Sequence, residues 1–188
     1  MIRRSSSVAV VAVLALAGFV VGDDSGVKSG IQVGGQVPAF YVKDITGPSQ
    51  GKSLCYRCRY GKNPCVAVFA RSMNDTTAKL IAEVDQIVGA KKDENLKGFV
   101  VFIAEDTDAL EPKVAKLATE KKISATPLTV FKGVDGPDGY DIAKGADVTV
   151  LMWVGGEVKA NLSFAPGKLE EKAITHLTED VKKILAAK

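Results

Sequence analysis

Three cysteines, Cys55, Cys58 and Cys65, are the side chains of this chain best suited to covalent chemistry. Cys55 and Cys58 form a Cys-x-x-Cys pair, with Arg57 between them and Arg59 directly after. Neighbouring positive charge favours the thiolate, which is the form of cysteine that attacks disulfides and binds metals. The stretch therefore predicts sulfur chemistry.

The sequence leaves three roles open for the Cys55 and Cys58 pair. It could be a structural or regulatory disulfide, a redox dithiol that exchanges disulfides, or half of a metal site with Cys65 as the next ligand. Zinc would need a fourth ligand, and the single histidine, His176, is expected to be solvated because it lies off an apolar helix stripe. Copper(I) would accept thiolates and the thioether of Met73. Otherwise Cys65 is expected to pack as a small hydrophobic residue.

Residues 1–22 are expected to be an export signal. Arg3 and Arg4 precede an apolar stretch, residues 8–21, which is shorter than the roughly 20 residues of a spanning helix. Cleavage before Asp23 would leave no stable membrane span and nearly balanced charge, which gives no basis for nucleic-acid binding. A retained anchor is the alternative. Export, to the periplasm or the exterior, would place the cysteines where disulfides persist.

Hydrophobic patterning divides the rest into a flexible lead-in, residues 23–35, and one domain, residues 36–188. The lead-in is expected to be flexible because it is rich in Gly and Ser. Continuous apolar runs predict strands buried on both faces at residues 66–70, 99–104 and 148–154. The basic, Gly-containing segment at residues 57–64 is expected to be a surface loop.

Apolar residues at helical spacing predict three helices. The first covers residues 75–88, with Asn74 or Asp75 as its N-cap and Gly89 as its end. The second begins near Asp108 and contains Pro112 in its first turn, where the missing N–H is tolerated. The third closes the chain.

This order of elements resembles the thioredoxin-like superfamily, and its peroxiredoxin branch (alkyl hydroperoxide reductase and thiol-specific antioxidant type) is the nearest likeness. The likeness is carried by the stretches at residues 35–47, 66–70, 115–140 and 148–158. It implies an α/β three-layer sandwich, in which a mixed sheet of about five strands has helices on both faces. Strands 66–70 and 99–104 are expected to lie parallel in the middle, because a helix connects them.

The chain departs from this superfamily at the position of the reactive cysteine. The resemblance places that cysteine just after the first core strand, where this sequence has Ala70-Arg71-Ser72-Met73-Asn74-Asp75. The peroxidatic thiol and the thioredoxin dithiol are therefore both absent from their usual place. Arg71 and Ser72 are expected to make structural contacts. Thr126-Pro127 resembles the family's cis-proline dipeptide, but a trans proline is expected here.

These observations predict an exported thioredoxin-like protein that exchanges disulfides with a protein partner through a displaced pair, Cys55 and Cys58. As an enzyme it would be a thiol–disulfide oxidoreductase, with no cofactor. The alternatives are a catalytically degenerate binding or scaffold module with a structural disulfide, and a soft-metal site. The pair is expected at the N-terminal end of strand 66–70, about 20 Å from Arg71. A loop that folded back could instead approach Arg71 and Thr126-Pro127.

Overall fold

The computed structural model describes residues 26–186, so the predicted export signal and the start of the lead-in lie outside the described residues. The strands are β1 (Val42–Asp44), β2 (Ser53–Leu54), β3 (Cys65–Ala70), β4 (Lys97–Ala104), β5 (Leu128–Lys132), β6 (Val148–Val154) and β7 (Glu157–Phe164). The α-helices are α1 (Tyr56–Tyr60), α2 (Asp75–Ala90), α3 (Thr107–Lys121) and α4 (Glu171–Ala186). No helix in this range is long and apolar enough to cross a bilayer.

One mixed sheet contains these strands in the order β2-β1-β5-β4-β3-β6-β7. β3 is parallel to β4, in a register that runs from Cys65 opposite Lys97 to Ala70 opposite Phe102. β5 is parallel to β4, whereas β6 is antiparallel to β3. All six residues of β3 are buried, as its uninterrupted apolar run predicted. The central parallel pair is confirmed, and the sheet has seven strands because a short hairpin and β5 extend one side.

The two faces of the sheet are covered differently. Helices α2, α3 and α4 pack on the face that includes Val66, Val68 and Val100. The other face, which includes Cys65 and Phe99, is covered by α1, by residues 31–42 and by the segment around Tyr140. Helices therefore lie on both faces, as predicted, but within residues 26–186 one face has only the five residues of α1.

Two predicted helix ends differ from the structure. α2 continues through Gly89 to Ala90, because its last turn still finds backbone partners at the Lys91 cap. α3 begins at Thr107, with the Asp106 side chain accepting from Ala109 N, so Pro112 lies beyond the first turn.

Part of the predicted lead-in is packed against the sheet. Ser29 is 2% exposed and its hydroxyl lies 2.7 Å from that of Thr149. The Asn161 side chain donates to the carbonyl oxygens of Ser29 and Ile31. The Gly- and Ser-rich composition did not indicate this contact, because it is also typical of a flexible segment. Gly30 lies so close to the sheet that a Cβ there would press on Thr149.

Candidate functional site

Cys55 and Cys58 form a disulfide at the start of α1, with their Cα atoms 5.2 Å apart. Cys55 is the N-cap of the helix, and its sulfur accepts a hydrogen bond from Cys58 N at 3.0 Å. The expected surface loop is therefore wrong for residues 57–60, which are helical. A helix of five residues is unstable in isolation, so local sequence pattern is a weak indicator of it.

Two tyrosines one helical turn apart fix α1 to the sheet. The Tyr56 ring stacks on that of Phe99, with centroids 5.4 Å apart. The Tyr60 hydroxyl donates to the Gly98 carbonyl oxygen at 3.2 Å. Gly98 and Phe99 lie near the start of β4, so α1 packs on the N-terminal end of the central strands. The i, i+4 spacing of the tyrosines was the available signal for α1.

A buried carboxylate, Asp44, connects β1 to α1. It is completely buried and accepts from Gly47 N at 2.7 Å, Ser49 N at 2.8 Å and the Tyr56 hydroxyl at 2.8 Å. A side chain at Gly47 would collide with both Asp44 oxygens and with that hydroxyl. Burial, and donation to Asp44, raise the pKa of Tyr56, so the phenol stays protonated. Sequence reasoning missed Asp44, although the spacing of Asp44 and Gly47 is typical of an Asx-type turn.

The two sulfurs of the disulfide differ in access. Cys55 is 6% exposed, because it lies between β2 and the start of α1, whereas Cys58 is exposed. An external thiol can therefore reach Cys58 more readily than Cys55. Thiol–disulfide exchange depends on which sulfur is accessible and on how well the leaving thiolate is stabilised.

Cys65 is a free thiol that is fully buried in β3. Burial raises its pKa well above the usual value, which keeps it protonated and unreactive. The structure confirms the prediction of a packed small hydrophobic residue. No three His, Cys, Asp or Glu side chains within residues 26–186 are grouped to hold a metal ion, so the set of Cys55, Cys58 and Cys65 is not assembled as a site. His176 is exposed.

The native protein is expected to give no rapid reaction with a thiol reagent at pH 8. The disulfide removes two thiols, and Cys65 is both buried and protonated. In denaturant one thiol per chain should react, and reduction before denaturation should add two more. The measurement is absorbance of the released chromophore, with a Cys65→Ser variant as the control. Rapid native labelling of Cys65 would contradict this assignment.

The residues after β3 make structural contacts at the opposite end of the sheet. Arg71 donates to the carbonyl oxygens of Val134 and Ile142, and burial lowers its pKa. The Ser72 hydroxyl donates to Asp147 at 2.7 Å. Asn74 caps α2 by accepting from Thr77 N. Both predictions for this stretch, structural contacts and a helix cap, are confirmed.

Pro127 is trans, as predicted. Its carbonyl oxygen accepts from Val100 N, so Thr126 and Pro127 lie near the start of β4 and away from Arg71. The alternative in which a folded-back loop unites the cysteines, Arg71 and Pro127 in one site is therefore wrong. The physical reason is the parallel alignment of β3, β4 and β5, which separates the start of one strand from the end of another by about 20 Å.

No protein-family profile matches this chain, and no curated protein matches it either. Solved structures do match. A candidate protein disulfide isomerase from Bacteroides thetaiotaomicron aligns with a TM-score of 0.63 and 15% identity over 83% of this chain and 91% of that one. A candidate thiol:disulfide interchange protein DsbE from Chlorobium tepidum has a TM-score of 0.58 and 14% identity over 80% and 99%.

A peroxiredoxin-type structure matches to a similar degree. Peroxidoxin BcpB from Mycobacterium tuberculosis has a TM-score of 0.56 and 15% identity, over 84% of this chain and 99% of that one. These likenesses establish that the chain has the thioredoxin-like fold, which confirms the resemblance drawn from the sequence.

Proposed function

We propose that this thioredoxin-like chain is an exported protein that performs thiol–disulfide exchange through Cys55 and Cys58. The observation that carries the proposal is the asymmetry of the disulfide: Cys58 is exposed, and the buried Cys55 sulfur accepts an amide hydrogen bond at 3.0 Å. The structural neighbours named as a disulfide isomerase and an interchange protein support the same chemistry. The apolar segment at residues 8–21 supports export.

The asymmetry supports attack at Cys58. A partner thiolate attacks the Cys58 sulfur, a mixed disulfide forms there, and the Cys55 sulfur leaves with the electron pair of the broken bond. The amide of Cys58 stabilises the Cys55 thiolate, because hydrogen bonding to the charged form favours it. A second partner thiolate then attacks the partner's sulfur in the mixed disulfide. The partner becomes oxidised, and Cys58 leaves as a thiolate.

The reverse direction uses the same atoms. In the reduced protein the Cys58 thiolate attacks a partner disulfide, and one partner sulfur leaves as a thiolate that takes up a proton. The Cys55 thiolate then attacks the Cys58 sulfur, which closes the protein disulfide and releases the second partner sulfur. Cys55 is therefore the resolving residue and Cys58 the attacking residue.

Two single variants test this assignment. Cys58→Ser should abolish the reduction of insulin by the dithiothreitol-reduced protein, because the accessible sulfur is lost. Cys55→Ser should still attack but should not resolve, so a stable mixed disulfide with the substrate should accumulate in non-reducing electrophoresis. Cys65→Ser is the control, with unchanged rates. Wild-type turnover by both variants would exclude exchange through this pair.

The second candidate is a catalytically degenerate binding or scaffold module whose disulfide only stabilises α1. The absence of a cysteine between Arg71 and Asp75, where this fold usually has its reactive thiol, favours that candidate. The reduction potential separates the two. Structural disulfides typically lie below about −300 mV, whereas exchange proteins range from about −270 to −120 mV.

A further inference from the structure

We infer that the exchange partner is an acidic protein segment, with carboxylates on both sides of its own reactive sulfur. This inference rests on the proposed exchange function, and it names the substrate class of the same site. It is carried by the charges around Cys58 and by the directions in which the two neighbouring arginines extend.

The surface around Cys58 is basic and lacks nearby acidic residues in sequence. Between Asp44 and Asp75 the chain has no Asp or Glu, while four basic residues surround the disulfide in the sequence: Lys52, Arg57, Arg59 and Lys62. Asp44 itself is buried and satisfied by its three donors. An anionic partner would meet attractive charge here without displacing an internal acid.

None of these four cations forms an ion pair within residues 26–186. The eight ion pairs in that range all use lysines elsewhere in the fold. Glu157 follows Gly156, which packs near the Arg57 guanidinium, and Glu157 is paired with Lys159 at 2.7 Å. The positive charge beside Cys58 is therefore available to a partner.

The cations lie on both sides of the exposed sulfur. Arg57 Nε donates to the Val37 carbonyl oxygen at 3.0 Å, which directs this side chain toward the β6–β7 turn. Arg59 donates to the Ser49 hydroxyl at 3.0 Å, which directs it toward the β1–β2 turn. A small anionic thiol could contact one side only. A peptide that crosses Cys58 can place one carboxylate against each arginine.

The test compares peptide disulfides that differ only in flanking charge. Three cystine peptides carry Glu, Gln or Lys on both sides of the cysteine, and each rate with the reduced protein is divided by its rate with dithiothreitol. At low salt the Glu peptide should exchange about tenfold faster than the Gln peptide, and the Lys peptide should be slowest. The differences should largely vanish near 1 M salt, where the Debye length is about 3 Å.

Charge-reversal variants show which residues cause the preference for the Glu peptide. Arg59→Glu should lower the preference for the Glu peptide. Lys113→Glu is the control and should leave that preference unchanged, because it makes the same charge change on α3, which packs on the face of the sheet opposite α1. Equal rates for all three peptides, with exchange intact, would overturn the inference while the exchange function stands. Equal acceleration of a small dicarboxylate disulfide would overturn the assignment to a protein segment. No exchange with any disulfide, including insulin, would remove the proposed function and this inference together.

Discussion

Asp44→Ala is expected to lower the free energy of unfolding by about 3 to 5 kcal/mol, because it leaves one buried and two partly buried donors without their charged acceptor. Those donors are the amides of Gly47 and Ser49 and the hydroxyl of Tyr56, each within 2.8 Å of the carboxylate. The substitution should also loosen α1, since Tyr56 is the first residue after Cys55. Chemical denaturation gives the stability change directly.

The rate of disulfide reduction shows whether Asp44 stabilises α1 locally or only the fold as a whole. In Asp44→Ala the disulfide should be reduced faster by dithiothreitol, because Cys55 is buried only while α1 stays docked. Tyr56→Phe is the matched control, since it removes one of the three donors and keeps the ring on Phe99. It should cost about 1 kcal/mol. An Asp44→Ala protein with wild-type stability would show that this carboxylate does not hold the turn.

Asp85→Ala is expected to cost a similar amount, about 3 to 5 kcal/mol, through a different part of the fold. Asp85 is in α2 and is 8% exposed. Its carboxylate accepts from three successive amides: Ala125 N at 2.8 Å, Thr126 N at 2.7 Å, and Ser124 N, which contacts both oxygens. It therefore fixes the chain that enters β5 against α2.

Disulfide reduction should be unaffected in this variant after correction for global unfolding, because α2 packs on the face opposite α1. Asp93→Ala, at an exposed aspartate, is the control and should change stability by less than about 0.5 kcal/mol. Thermal unfolding followed by circular dichroism measures both. If Asp85→Ala accelerates reduction at Cys58 as strongly as Asp44→Ala does, the two carboxylates are not independent.

Long apolar periodicities determined most of the fold. The runs that became β3, β4 and β6 are buried on both faces, and such strands form the middle of a sheet because no residue along them can face water. The connecting helix α2 then required β3 and β4 to be parallel neighbours. The absence of a cysteine directly after β3 was also evident from the sequence, because it depends only on which residues follow that strand.

Contacts between distant segments were decided only by the tertiary structure. A five-residue helix has no stability of its own, so α1 exists because Tyr56 and Tyr60 pack on Phe99 and Gly98, some forty residues away. For the same reason the sequence could not rank the two cysteines. Both belong to one short motif with similar neighbours, and the packing of α1 against β1 and β2 buries Cys55 and leaves Cys58 in solvent.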